Sequence, residues 1–248
     1  MRRLITAAAA LAALALPASA GAITNGTADG GGHPNVGGLV SATQYSDGTW
    51  LYCSGTLISP TVFLTAAHCA EHDRVGVTFD PAYQAGDAVF YGTWHADPQY
   101  GKSQNDPHDI AVVVFGKPIK GIAPARLPAA GSLAGLSGSQ QFTSVGYGAY
   151  EVTNGPGGHQ FLYDDVRGVA TGTLNAINPS WLRISMNPAT GNGGTCYGDS
   201  GGPNFLGTTD ILAATTITGD YVCRSTNVDY RLDTPSARAF LKSYVALP

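Results

Sequence analysis

Charge is scarce in this chain. Only 12% of its 248 residues are Asp, Glu, Lys or Arg, and the basic ones gather in no cluster or stripe. A net charge of −4 without a basic face excludes the electrostatic footprint of a nucleic-acid binder. Long apolar runs are missing after Leu16, so no second span follows that would make a membrane protein. Amphipathic helix patterns are missing until Thr234, and with them the alternation of strand and helix that marks doubly wound folds. Internal repeats are absent, and the only low-complexity tract is the alanine-rich start. Methionine is rare, with two residues, whereas glycine is abundant, with 33. This is a globular, turn-rich composition, long enough for one large or two small cores.

The first 22 residues read as an export signal. Arg2 and Arg3 form a basic start, and Leu4 to Leu16 is an apolar core too short to cross a bilayer as a helix. Ala18-Ser19-Ala20 and Ala20-Gly21-Ala22 both fit the small-residue cleavage rule. The paired arginines lack the surrounding twin-arginine consensus, so the general secretory route is expected. Removing the segment leaves 11 of the 13 basic residues against 17 acidic ones, a net of −6. In an exported protein the four cysteines imply two disulfides, with three pairings open.

Short β-rich runs fill most of the remainder: 50–58, 62–66, 75–79, 88–91 and 110–115, then 141–146, 166–174, 182–186 and 211–217. Gly, Pro, Asn and Asp punctuate them. Near the end Thr234 is placed to cap a helix over about 235–246. Pro235 suits its first turn, and Ala237, Phe240, Leu241, Tyr244 and Val245 share one face. Many short strands with one terminal helix predict an all-β fold of antiparallel barrels, although strand counts also allow one continuous sandwich. Pro118 to Ser139, rich in Gly, Pro and Ala, is a plausible connection between two halves.

Three motifs carry chemistry. Gly198-Asp199-Ser200-Gly201-Gly202-Pro203 presents a serine between glycines, which carry no side chains to shield it. Thr65-Ala66-Ala67-His68-Cys69 offers a base, and His108-Asp109-Ile110-Ala111-Val112 an orienting carboxylate. A serine hydroxyl is a weak nucleophile until a neighbouring imidazole takes its proton, and a carboxylate steadies the resulting cation. A serine between glycines is more often a plain turn, but the flanking Asp199 and Pro203 argue otherwise. His68 and His72 have the i, i+4 spacing of a zinc site, yet Glu71 is out of register for that motif and no third ligand is evident. Asp109 is preferred to Asp106 because it opens an apolar run, where a carboxylate needs a partner. Asp106, beside Pro107, is expected as an exposed turn residue. Chain order excludes the α/β-hydrolase arrangement, which needs a histidine after the serine; the last histidine is His159.

The order His68, Asp109, Ser200, carried by TAAHC, HDIAVV and GDSGGP, resembles the chymotrypsin-like (trypsin-like) serine proteases. Cys53-Ser54-Gly55-Thr56-Leu57-Ile58-Ser59 and Ile23-Thr24-Asn25-Gly26-Thr27 are similar to further segments of that family, so the likeness spans about 23–246. It implies two six-stranded antiparallel barrels, over about 23–125 and 126–233, with the active site between them. It implies disulfides Cys53–Cys69 and Cys196–Cys223, each worth about 3 kcal/mol in the chain-entropy model. It assigns the oxyanion hole to the N–H groups of Gly198 and Ser200. It pairs Asp199 with the α-ammonium of Ile23 after processing, released directly by cleavage after Ala22 or by loss of Gly21-Ala22.

The specificity pocket implied by the resemblance has Gly194 at its base and Thr218 and Val228 on its walls. Thr218 and Val228 stand where open pockets have glycine, Ile217 replaces a tryptophan and Thr216 a serine. Without an acid at the base, tryptic cleavage is not expected; small or medium apolar residues are. A one-residue shift around Cys223 would instead bring Asp229 toward the pocket. The sequence thus predicts a secreted, monomeric serine endopeptidase acting on polypeptides bound as an extra strand. No cofactor or metal is implied, and no acidic loop points to calcium. A non-catalytic binding protein and an esterase on the same scaffold are the rival readings.

Overall fold

The structure, a computed structural model, describes residues 23–248; the expected export signal lies outside the described residues. Two closed antiparallel barrels account for most of it. The first is built from β2 (Val36–Val40), β3 (Leu51–Ser59), β4 (Val62–Thr65), β5 (Arg74–Thr78), β6 (Phe90–Ala96) and β7 (Ala111–Phe115). Its order is β2-β3-β4-β7-β6-β5, closed by pairing of β5 with β2. The second uses β8 (Gln141–Gly146), β11 (Gly168–Ile177), β12 (Trp181–Ser185), β13 (Pro203–Leu206), β14 (Leu212–Gly219) and β15 (Thr226–Arg231). Pairing of β8 with both β11 and β13 closes it. A separate hairpin, β9 (Glu151–Gly155) and β10 (Gly158–Leu162), turns at Pro156-Gly157.

The apolar runs explain the two layers of packing. In β7 the period of two sends Val113 and Phe115 into the first barrel's interior, with Leu39, Leu57, Phe63 and Val77. The alternate residue Val112 joins Val62, Leu64 and Ile110 on the opposite face. That face meets Val145, Phe205, Leu212 and Tyr230 of the second barrel. A strand buried on both faces reads as a continuous apolar run, as Ala111 to Phe115 does. By contrast, β11 alternates buried Ala170, Gly172 and Leu174 with exposed Thr171 and Asn175.

The helix α1 (Pro235–Leu241) starts where expected: Thr234 Oγ1 accepts the Ala237 N–H at 3.3 Å. Its buried Ala237, Phe240 and Leu241 close the seam between the barrels. It ends earlier than the expected 246. The last turn tightens, with the N–H groups of Ser243 and Tyr244 reaching back three residues to Phe240 and Leu241, while Tyr244 and Val245 still pack on the same core.

Residues 23–28 belong with the second barrel, not the first. β1 (Thr27–Ala28) pairs with β11, and Thr24 bridges Gly194. The chain then crosses to the first barrel beneath Arg167, whose side chain is 1% exposed. The guanidinium donates to Asp29 Oδ2 at 2.8 Å, to the carbonyls of Gly30, Val36 and Phe79, and to the Tyr147 hydroxyl. Burial alone would push the Asp29 carboxyl up, but its bonds to His33 and Arg167 hold it below the usual aspartate value. A buried pair of this kind is costly to break from one side. Replacing Arg167 by Met should destabilise the chain by ~3–5 kcal/mol in urea unfolding. Adding Asp29→Asn should recover part of that loss; no recovery would mean that the ion pair is not what the crossing rests on.

Candidate active site

Strand register brings His68 and Asp109 together. β4 and β7 pair with Thr65 opposite Ala111. His68 lies on the single helical turn Ala67–Cys69 just beyond β4, and Asp109 lies just before β7. The Asp109 carboxylate takes two bonds from one residue: the His68 N–H to Oδ1 at 3.0 Å, and His68 Nδ1 to Oδ2 at 2.8 Å. Asp109 is buried, while His68 is partly open to solvent. Tying Nδ1 to a carboxylate selects the tautomer whose Nε2 is free to accept a proton.

Ser200 comes from the second barrel but is fastened to the first. The Ser54 N–H on β3 donates to the Ser200 carbonyl at 2.8 Å. The Ser54 hydroxyl donates to the Gly198 carbonyl at 3.1 Å and accepts the Tyr147 N–H at 2.9 Å. The Gly201 N–H donates to Thr216 O on β14 at 2.8 Å. Gly201, at φ 80°, leaves no room for a side chain: a Cβ would sit 2.1 Å from Thr65 Oγ1. Gly198, at φ 93°, holds a left-handed backbone, and a Cβ there would meet Gly148 Cα at 2.9 Å. Among the described residues the N–H groups of Gly198 and Ser200 donate to no protein acceptor.

His68 and Ser200 line one cleft of about 340 Å³, with Tyr197, Ile217, Thr218 and the Cys196–Cys223 bridge. The other disulfide, Cys53–Cys69, joins β3 to the His68 turn. Of the three residues assigned to the specificity pocket, Thr218 lies in this lining and Gly194 and Val228 do not. Gly194 packs against Met186: a Cβ on Gly194 would lie 2.4 Å from Met186 Cγ and 2.5 Å from its Sδ. Val228 is half-buried in the ladder, opposite Arg183 and Thr218. Asp220 also lines the cleft, but Arg224, Ser225 and Thr226 donate their N–H groups to its carboxylate. Burial pushes that carboxyl up, and the three donors outweigh it and hold it low. A second cavity, about 400 Å³, opens on the other side of Tyr197 between Tyr45, Asp47, Tyr52 and Tyr163, and reaches Gly198.

Asp199 is fully buried, and its oxygens accept the N–H groups of Gly148 and Cys196, both at 2.8 Å. Burial, only partly offset by those two bonds, raises the carboxyl to about 7. Ile23, 1% exposed, reaches the second barrel through the reciprocal bonds of Thr24 and Gly194.

Asp106 departs from the exposed turn expected of it. It is half-buried and accepts the Tyr230 hydroxyl at 2.8 Å. Asp229 lies inside the second barrel and is absent from the cleft lining. There Asn204 Nδ2 donates to Asp229 Oδ1 at 2.7 Å and to Thr216 Oγ1 at 3.0 Å. This polar cluster behind the Ser200 loop carries no local sequence signal, because its members are spread over β13, β14 and β15. Ser54 is equally silent, a small residue in an apolar strand.

Comparison with known proteins agrees with this architecture. The profile of the Trypsin family matches residues 29–241. A trypsin of Phaedon cochleariae is 31% identical over 173 residues, 62% of this chain and 64% of that one. Glucanase inhibitor protein 1 of Phytophthora sojae is 27% identical over 160 residues, 61% of this chain and 60% of that one. The chain thus spans under two thirds of the length of either relative. A solved collagenase structure, HL collagenase, superposes with a TM-score of 0.66 at 19% identity, covering 90% of this chain and 96% of that one. At that identity the match speaks to the fold.

Burial, only partly offset by bonds from neighbouring side chains, raises the Asp229 carboxyl well above its ordinary value. Among the described residues Asp229 Oδ2 and Asn227 Oδ1 both lack partners. The folded protein therefore keeps a proton that the unfolded chain releases above the ordinary aspartate pKa, and this group's contribution to stability falls as pH rises. Asp229→Asn in the Ser200→Ala chain should remove a slope of up to ~1.4 kcal/mol per pH unit. It should also leave the protein at least as stable at pH 8. Urea unfolding across pH 5–8 checks this, and a variant less stable at pH 8 with its slope intact would contradict it.

Proposed function

Because the chain belongs to the trypsin family, we propose that it is a serine endopeptidase that cleaves polypeptides through an acyl-enzyme. The observation that carries this reading is the meeting of two barrels at one cleft. The first barrel brings the His68–Asp109 pair, and the second brings Ser200.

His68 Nε2 takes the proton of Ser200 Oγ as the oxygen attacks the scissile carbonyl carbon. Asp109 stabilises the imidazolium that forms. The carbonyl π electrons move to oxygen, and the free N–H groups of Gly198 and Ser200 receive that charge. Loss of one such donor typically costs ~2.7–4 kcal/mol of barrier. Collapse of the tetrahedral species breaks the C–N bond, and His68 returns the proton to the leaving amine. Water then repeats the sequence on the ester and regenerates Ser200.

The cleft suits a small or medium apolar side chain before the scissile bond. Thr218 and Ile217 narrow it, Met186 fills the space over Gly194, and the Asp220 carboxylate is already occupied by N–H groups. The tyrosine-lined cavity beyond Tyr197 lies where residues of the leaving group would run. The enzyme acts as an exported monomer, with the bridges and apolar seam suited to that setting.

Ile23 is the mature N-terminus in this reading. Its φ of 90° is strained for a β-branched residue within a chain, and φ ceases to be a constraint on a first residue. A free ammonium there supplies buried Asp199 with a cation, which no side chain among the described residues gives it. Enzyme beginning at Ile23 should exceed enzyme beginning at Gly21 in kcat/KM by at least tenfold. Equal activity would remove the pairing from the account.

The glucanase-inhibitor relative favours one second reading, a binding protein without turnover, although here all three chemical residues are present. An organophosphorus fluoridate separates the two. One equivalent should attach to Ser200, and labelling should fall by at least a hundredfold in His68→Ala. Failure to label a folded chain that starts at Ile23 would favour the binding protein. Peptides varied before the cleaved bond should rank Ala and Val above Arg, and a strong preference for Arg would refute the pocket assignment.

A further inference from the structure

Beside the His68–Asp109 pair stands a second imidazole–carboxylate group that the proposed chemistry does not use. His108 immediately precedes Asp109. Its Nδ1 lies 2.9 Å from Asp97 Oδ2, and its Nε2 lies 3.7 Å from Asp106 Oδ2. Asp97 and His108 are both largely enclosed. Asp106 in turn accepts the hydroxyl of Tyr230 on β15, and that hydroxyl also meets Ser236 in the first turn of α1, at 3.2 Å. The loop that carries Asp109 is thereby tied to its own barrel through Asp97, and to the second barrel and helix through Asp106.

The backbone makes this tie consequential. His108 sits at φ 50°, in the left-handed region, a conformation that persists in a non-glycine residue only when its surroundings enforce it. Its carbonyl accepts the Ile110 N–H at 2.8 Å, so Asp109 is the middle residue of a three-residue turn. The Asp97 N–H closes the other side on the Ile110 carbonyl at 3.0 Å. The direction of the Asp109 side chain is therefore set by the backbone of the residue whose ring is clamped.

We propose that His108, held between Asp97 and Asp106, is a positioning residue that fixes the Asp109 carboxylate on His68. This rests on the serine endopeptidase reading for its kinetic consequence but not for its structural one. The ionisable groups around the clamp are Asp97 at the end of β6, Asp106 and Asp109 on its own loop, Tyr100, Tyr230 on β15, and Tyr244 beyond α1. Three carboxylates crowd this corner, and the two imidazoles His68 and His108 both bond into them.

The test compares wild type with His108→Leu, His108→Asn and Tyr230→Phe, all processed to Ile23. His108→Leu should lower kcat by ten- to a hundredfold with KM within twofold. It should also shift the acid limb of kcat/KM downward, because a loosened carboxylate stabilises the His68 cation less. His108→Asn keeps a donor toward Asp97 and should restore most of the loss. Tyr230→Phe, which removes one hydroxyl from a buried ring, should cost three- to tenfold and serves if His108→Leu does not fold. An independent readout is the far-downfield Nδ1 proton of His68 in the Ser200→Ala background. It should be sharp with His108 in place and be lost to exchange in the Leu and Phe variants. Folded variants with unchanged kcat, unchanged acid limb and an intact downfield proton would overturn the proposal. A wild type without turnover would overturn the endopeptidase reading, and the proton resonance would then decide on the clamp alone.

Discussion

The hydrogen bonds that Ser54 makes across the seam hold the site together. Its N–H holds the Ser200 carbonyl, and its hydroxyl holds the Gly198 carbonyl. The loop bearing the candidate nucleophile is thus bonded to the strand of the barrel that bears the candidate base. Two barrels that merely packed on apolar faces could slide by an ångström at little cost, and an ångström is enough to spoil proton transfer between oxygen and imidazole. Directional bonds remove that freedom. The Cys53–Cys69 bridge on the same strand fixes the His68 turn from the other side.

Several polar groups are buried around this seam. Arg167 and Asp29 hold the crossing of the N-terminal segment. Asn204, Thr216 and Asp229 fill the space behind the Ser200 loop with hydrogen bonds where an apolar core would otherwise stand. A satisfied buried network specifies one arrangement of its members more sharply than interchangeable apolar contacts do. Among the described residues Asp229 Oδ2 and Asn227 Oδ1 are left without partners, as are Thr56 Oγ1 and Thr215 Oγ1.

What the sequence makes legible follows from how local its signals are. Ser200 among glycines, His68 before Cys69 and Asp109 before an apolar run are each readable within a few residues, and the chain order makes them a set. The barrel strands with apolar periodicity, such as β3, β4 and β7, are readable in the same way. β2 is not, because Gly37 and Gly38 erase its pattern. β15 is hidden because Asn227 and Asp229 sit where apolar residues belong. The specificity pocket is least legible. Gly194 packs against Met186 Cγ and Sδ, which lie on another stretch of chain and leave no local signal beside Gly194. Asp106 looks exposed until Tyr230, 124 residues later, reaches it. Long-range polar partners leave no periodicity, so spacing arguments pass over them.

In the proposed chemistry an imidazole from one barrel draws the proton from a hydroxyl on the other. Rapid mixing of chain starting at Ile23 with an activated ester of a short apolar acid tests this most directly. A burst of one equivalent of alcohol, followed by slower turnover, is predicted, with the acyl mass found on Ser200 after acid quench. Progress that is linear from the first milliseconds, with no mass gained on Ser200 at any time, would contradict it.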